Sequence, residues 1–289
     1  MWTAGPRKRY RLTLRGSECV LGDRTLVMGV VNVTPDSFSD GGQFLETDAA
    51  VARGLALFEA GADIVDVGGE STRPGAAPVD ADEERRRVGP VIRDLRARGA
   101  GPISVDTTKA GVARAALDEG ADIVNDVSGF RFDPEIVPLL AERKVPAVVM
   151  HLRGTFADVH RAPRYADVMG EVKAELRESL QRGEAAGIPR ELLLVDPGIG
   201  FAKDTGHSLE VLRRLPELAE LDRPVLVGVS RKSFLGRVLD LPVGERLFGT
   251  AAAVAASVLG GAHMVRVHDV KPMLEVVRVC DAILGGAAA

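Results

Sequence analysis

Asp106, Asn125 and Asp196 each close or nearly close a short aliphatic run (PISVD, DIVND, LLLVD). Such groups accept hydrogen bonds directionally, and several together suit a planar nitrogen heterocycle that presents N–H donors. Lys232, Arg266, His268 and Arg73 bring the opposite sign, which fits a phosphate or a carboxylate. Acceptors set deep with cations at the rim suit a nitrogen heterocycle carrying a phosphate ester. Other aliphatic runs end in Asn32, in Asp66 with Glu70, in Asp126, in His151, and in Ser230 with Arg231 and Lys232. One strand-end Asp or Asn is as readily a helix cap or a turn; eight polar ends in series point to a polar mouth. The chain holds only two asparagines, Asn32 and Asn125, and both fall on these ends.

Positioning so many polar ends on one rim requires parallel strands. Strands are predicted at 25–33, 63–68, 102–106, 122–127, 145–151, 192–196, 224–230 and 264–268, with helices near 47–60, 81–98, 108–119, 134–143, 165–186, 207–220, 244–259 and 271–284. Strands apolar on both faces and separated by helical crossovers form a parallel sheet. GADIV at 61–65 returns at 120–124 and as GAHMV at 261–265, each time joining a helix end to a strand start. Eight βα units without a linker favour a closed (β/α)8 TIM barrel, whose chemistry sits at the C-terminal strand ends. A Rossmann-like sheet would carry GxGxxG at its first turn, and none is present. Residues 10–21 read as a hairpin that plugs the bottom, and 25–285 as the barrel, within one domain over 1–289. Two long Gly-rich loops, 32–44 and 68–80, follow the first two barrel strands, and Phe38 stands alone in the first, placed to stack on a ring.

Composition excludes several classes. With 37 basic against 41 acidic residues the net charge is −4, which argues against general nucleic-acid binding, and 46% hydrophobic residues exclude disorder. Thirty Arg against seven Lys, with two Asn and two Gln, fits a hot-living or compositionally biased source. Cys19 and Cys280 form no close pair and no metal spacing, the N-terminus lacks an apolar run, and Ala251–Ala262 is too short to span a bilayer. A soluble cytoplasmic protein is expected. HExxH, GxxxxGK[ST] and GxSxG are absent. Asp82, Glu83 and Glu84 before Arg85–Arg87 read as a solvated helix start, His160 and His207 as surface loop residues, and His263 as a helix-to-strand turn.

MGVVNVTPDSFSDGG (28–42), GGESTRPGA (68–76), SVDT (104–107), NDVSG (125–129), DPGIGF (196–201), GVSRKSFLG (228–236) and RVHDV (266–270) together resemble the dihydropteroate synthases, a family of pterin-binding TIM barrels. The likeness runs in order from Met28 to Val270. Ile199 and Ala202-Lys203 depart from the family's more aromatic, Gly-rich turn followed by Gly-Lys.

The resemblance implies condensation of 6-hydroxymethyl-7,8-dihydropterin diphosphate with 4-aminobenzoate, releasing pyrophosphate. It implies that Asp106, Asn125, Asp196, Lys232 and Arg266 grip the pterin, all but Asn125 counting as catalytic. Asn32, Arg73, Arg266 and His268 would hold the diphosphate, with Mg2+ bound through Asn32. Phe38, Thr72, Pro74, Phe201 and Ser230 would line the aminobenzoate pocket. A homodimer through the late helices is also implied. Two other readings fit less of the chain. A methyltetrahydrofolate-type methyltransferase barrel has no use for Arg73 or the NVTPDSFSDGG loop, and a non-catalytic pterin-binding paralogue has no use for the intact Asn32, Thr72, Arg73, Ser230, Lys232, Arg266 and His268.

Overall fold

The computed structural model describes residues 7–14, 17–34, 43–71, 77–155 and 164–285. A two-stranded antiparallel hairpin, β1 (Tyr10–Leu14) and β2 (Ser17–Leu21), comes first. Eight parallel strands follow: β3 (Leu26–Asn32), β4 (Ile64–Gly68), β5 (Ile103–Asp106), β6 (Ile123–Asp126), β7 (Ala147–Met150), β8 (Leu193–Asp196), β9 (Leu226–Gly228) and β10 (Met264–Val267). Their side chains are buried on both faces, as a sheet lined inside by its own residues and outside by helices demands. They pair in the order β8–β7–β6–β5–β4–β3–β10–β9, and a bridge between Val195 and Val225 joins the two remaining edges. The result is the eight-stranded parallel barrel expected from the strand count.

The surrounding helices are α1 (Gln43–Glu59), α2 (Ala81–Ala97), α3 (Ala110–Asp118), α4 (Ile136–Arg143), α5 (Val168–Ala185), α6 (Thr205–Arg213), α7 (Ser233–Leu239), α8 (Leu247–Leu259) and α9 (Val270–Ile283). That is nine among the described residues, one more than predicted. The extra helix, α7, is only seven residues long, too short to show an amphipathic period. The stretch 207–220 is not one helix either. It stops at Arg213, and 3-10 turns take over at Leu215–Leu221 around Pro216, whose ring and missing N–H disfavour α-helix continuation.

The GAxxV repeat is one device used three times. Gly61, Gly120 and Gly261 take φ of 97°, 106° and 98°, which residues with a Cβ avoid. In each copy the alanine N–H bonds back five residues into the preceding helix, to Leu57, Ala116 and Ser257. The third residue then reaches the neighbouring strand. Asp63 accepts from Val27 N at 2.8 Å, Asp122 from Ile103 N at 2.8 Å, and His263 Nδ1 from Val225 N at 3.1 Å. These bonds tie adjacent strands at the N-terminal end of the barrel. The hairpin lies over that end: Leu12, Leu14 and Leu21 are buried, the His263 ring meets Tyr10 edge-on at 5.2 Å, and Tyr10 Oη donates to Asp222. His263 is thus a turn residue, as read from the sequence, and also fastens the hairpin.

Candidate active site

At the opposite end, four side chains from four strands form one connected cluster. Arg266, near the end of β10, donates through Nε to Asp66 Oδ2 at 2.7 Å and through Nη2 to Asp106 Oδ2 at 2.9 Å. Asn125 Nδ2 donates to the same Asp66 oxygen at 3.1 Å. Parallel register sets Asp106 beside Asn125 and beside Gly68. Burial pushes the Asp106 carboxyl up to about 7, although Arg266 opposes the shift. Arg266 is raised as well, for a different reason: burial disfavours its charge, but Asp66 and Asp106 outweigh that and hold it more firmly protonated.

A second group gathers where β8 ends. Asp196 is buried and accepts from Gly198 N at 2.7 Å. Lys232 immediately precedes α7, donates to the Ile199 carbonyl and sits with Nζ 4.2 Å from the centre of the Phe201 ring. Burial brings Lys232 down to about 8, against the pull of Asp196, and burial raises Asp196, against Lys232. Arg266 acts on both groups and Asp106 on Lys232, so the two clusters face one field. Beside them, Ser230 Oγ lies 3.0 Å from His268 Nδ1 and accepts from His268 N at 3.2 Å. Arg231, held at φ 58°, pairs with Asp269 through two bonds and locks β9 to β10.

The structure therefore brings together Asp106, Asn125, Asp196, Lys232, Arg266, Phe201, Ser230 and His268 at the strand ends. Asn32 closes β3 opposite Gly68 on that rim. Phe38, Thr72, Arg73 and Pro74 lie outside the described residues, as does His160. Three expectations need correction. The cations are not confined to the rim, because Arg266 reaches into the mouth to Asp66, which is fully buried. The start of α2 is not wholly solvated: Glu84 is buried and pairs with Lys109, which also holds Glu70. Its carboxyl is raised by burial, with Lys109 opposing. His207 is not a loop residue but stands in the first turn of α6, its ring 5.0 Å from Tyr165.

Asp66 and Lys203 carry no assigned role in the sequence reading. Asp66 was visible as one strand-end acid among several; its double role appears only once β4, β6 and β10 are in register. Glu70 was likewise visible, and its second oxygen accepts from Val79 N at 2.9 Å, closing the base of the 68–80 loop. Lys203 has no periodic signal; it stands where the family's turn is followed by Gly-Lys, and that position alone could have pointed to it.

Residues 28–268 match the family described as pterin binding enzyme. The dihydropteroate synthase of Synechocystis sp. is 46% identical over 91% of this chain and 91% of its own length. That of Mycobacterium leprae is 49% identical over 89% and 93%. Among solved structures, Xanthomonas albilineans dihydropteroate synthase with 4-aminobenzoic acid superposes with a TM-score of 0.89 at 46% identity, covering 96% of this chain and 98% of that one. The same enzyme in complex with 7,8-dihydropteroate gives 0.85 at 44% identity, covering 94% and 98%. The chain belongs to the dihydropteroate synthase family of pterin-binding enzymes.

Proposed function

We propose that the chain condenses 6-hydroxymethyl-7,8-dihydropterin diphosphate with 4-aminobenzoate to give 7,8-dihydropteroate and pyrophosphate. The observation that carries this reading is the meeting of Asp106, Asn125, Asp196, Lys232 and Arg266 at one end of the barrel, a set of acceptors interleaved with two half-buried cations. The acceptors take hydrogen bonds from the ring N–H and amino groups, Lys232 donates to the ring carbonyl and nitrogen, and Arg266 lies along the ring face. Arg73, Arg266 and His268, with Asn32, hold the diphosphate; Phe38, Thr72, Pro74, Phe201 and Ser230 line the aminobenzoate site, with Ser230 near its carboxylate.

The reaction follows from this polarity. The C–O bond to the diphosphate breaks and its electron pair leaves with pyrophosphate. The electron-rich dihydropterin carries the positive charge left on the methylene carbon, and Asp106 and Asp196 stabilise that charge more than they stabilise the ground state. The arylamine nitrogen then bonds to the methylene carbon and gives up one proton. An arylamine is a free nucleophile at neutral pH, so no strong base is needed.

Mg2+ fits this donor set. No group of three or more His, Cys, Asp or Glu that could hold a metal occurs among the described residues. Asn32 offers one neutral oxygen, which suits an ion that keeps waters and phosphate oxygens and takes few protein ligands. Held there, such an ion would help neutralise the charge on the leaving group. A second copy of the chain docks on the late helices, where Phe248, Val279 and Ile283 are 86%, 61% and 65% exposed. The free cysteines Cys19 and Cys280 fit a reducing cytoplasm, and no described helix is long and apolar enough to cross a membrane.

One assay tests the reading: purified protein, pterin diphosphate, labelled 4-aminobenzoate and Mg2+, scored for pyrophosphate and dihydropteroate together. Pterin binding without pyrophosphate release would identify a non-catalytic binding module instead.

A further inference from the structure

The loop from Gly198 to Ala202 is shaped by a single backbone turn, in which Phe201 N donates to the Gly198 carbonyl at 3.0 Å. Gly198, Gly200 and Ala202 take positive φ of 66°, 76° and 48°, so no helix or strand fixes it. Its carbonyls are instead caught one by one by side chains. Lys232 holds Ile199, Tyr165 Oη holds Ala202 at 3.0 Å, and Lys203 holds both Gly198 at 3.1 Å and Phe201 at 3.2 Å. The third hydrogen bond of the Lys203 amine goes to His151 Nδ1 at 2.8 Å.

His151 is in turn fixed from behind. Its backbone N–H donates to the Asp196 carbonyl at 2.9 Å, and its Nε2 lies 3.0 Å from Glu175 Oε2. A lysine ammonium is a donor only, so Nδ1 is the acceptor and the ring proton sits on Nε2, facing Glu175. Arg153 completes the set by donating to Glu175 and Glu171. Lys203 and His151 are 7% and 3% exposed, and the loop lies close against the chain after β7: a Cβ on Gly198 would lie 2.0 Å from the His151 carbonyl.

Burying an amine in this way is expensive, and an apolar residue of similar shape often serves stability as well or better. Its retention here calls for a positional reason. We infer that Lys203 is a positioning residue for the condensation: anchored on His151, its amine sets the Gly198–Phe201 loop so that Phe201, Asp196 and the Ile199 carbonyl meet Lys232 and the substrates in register. The groups facing it are Asp196 and Lys232 across the loop, and Glu175 and Arg153 behind His151. Burial lowers Lys203 to about 7, with Asp196 opposing, and burial and Lys203 together lower His151 to about 4, which agrees with a neutral ring accepting from the amine.

The inference rests on the reading of Asp196, Lys232 and Phe201 as substrate-binding residues, and the test separates the two. Steady-state kinetics in both substrates would be measured for Lys203→Met, Lys203→Gln, Asp196→Asn and Lys232→Ala, each normalised to folded protein by circular dichroism. Lys203→Met removes every donor, and we expect at least a ~10-fold rise in KM for 4-aminobenzoate together with a fall in kcat, since a displacement of about 1 Å costs on the order of 100-fold in rate. Lys203→Gln keeps a neutral donor for the carbonyls and should fall between Met and the parent. A residue needed only for folding would change the melting temperature and leave both constants per folded molecule unchanged, and that result would overturn the inference. Should Lys203→Met not fold, Lys203→Gln decides, with constants within twofold of the parent counting against. If Asp196→Asn and Lys232→Ala also retain full kcat/KM, the substrate-site reading falls with it; if they lose activity and the Lys203 variants do not, only the role of Lys203 falls.

Discussion

Arg266 donates to two carboxylates at once, and Asp66 accepts from both Arg266 and Asn125. Charge in the mouth is therefore shared rather than assigned to separate residues. Asp106 is the group on which this shows most, because burial raises it to about 7. A carboxyl raised in the folded state binds its proton more tightly there than in the unfolded chain. Its contribution to stability is full near pH 4 and is lost as pH rises toward 7. The stability advantage of the parent over Asp106→Asn should accordingly shrink between pH 4 and 7 in urea titrations; an advantage that grew over that range would refute the raised carboxyl. For activity, Asp196→Asn and Lys232→Ala should each keep the fold and lower kcat/KM by at least ~100-fold, about 2.7 kcal/mol. Full activity in either would remove that residue from the site.

Between residues and the barrel stand the turns that join helix to strand. The three GAxxV turns share positive-φ glycines but not surroundings. A Cβ on Gly261 meets nothing within 4 Å, whereas one on Gly61 lies 2.6 Å from Leu274 Cδ2. Gly261→Ala thus isolates backbone strain and should destabilise by about 1–3 kcal/mol. Gly61→Ala adds a collision and should cost more. Equal losses in chemical denaturation would mean that Leu274 moves aside freely. Sequence reading located these turns because the repeat is literal. It missed α7 because seven residues cannot display a helical period, and it took Glu84 for a solvated residue because the first turn of an isolated amphipathic helix reads that way. Lys109, on the loop before α3, is what makes burial of Glu84 tolerable, and no local pattern announces a partner 25 residues away.

Across the whole molecule the two barrel ends do different work. The N-terminal end is cross-tied by Asp63, Asp122 and His263 and covered by the hairpin, while the C-terminal end carries the connected polar cluster. Holding one end rigid lets the other be built for binding. Among the described residues most exposed large apolar side chains lie on α7–α9 and the turn before α8, and Phe248 stands out. Phe248→Glu should convert a dimer into a monomer in light scattering after size exclusion, with the barrel's circular dichroism retained. A parent that is monomeric at micromolar concentration would remove the second copy from the account.

The amino-acid sequence by itself determined the strand count, the parallel topology and the rim on which the chemistry sits, because two-faced apolar runs, helical crossovers and strand-end polar residues are all local signals. It also singled out Asp106, Asn125, Asp196, Lys232 and Arg266, each within a short contiguous motif, and the fold carries all five to one end of the barrel. Only the tertiary structure decided which of these touch. Asp66 and Arg266 are 200 residues apart, and Lys203 meets His151 across 52. Such contacts depend on strand register and on the path of a loop without periodic structure. Pairing across a barrel is a property of closure, and closure leaves no mark on any single stretch of sequence.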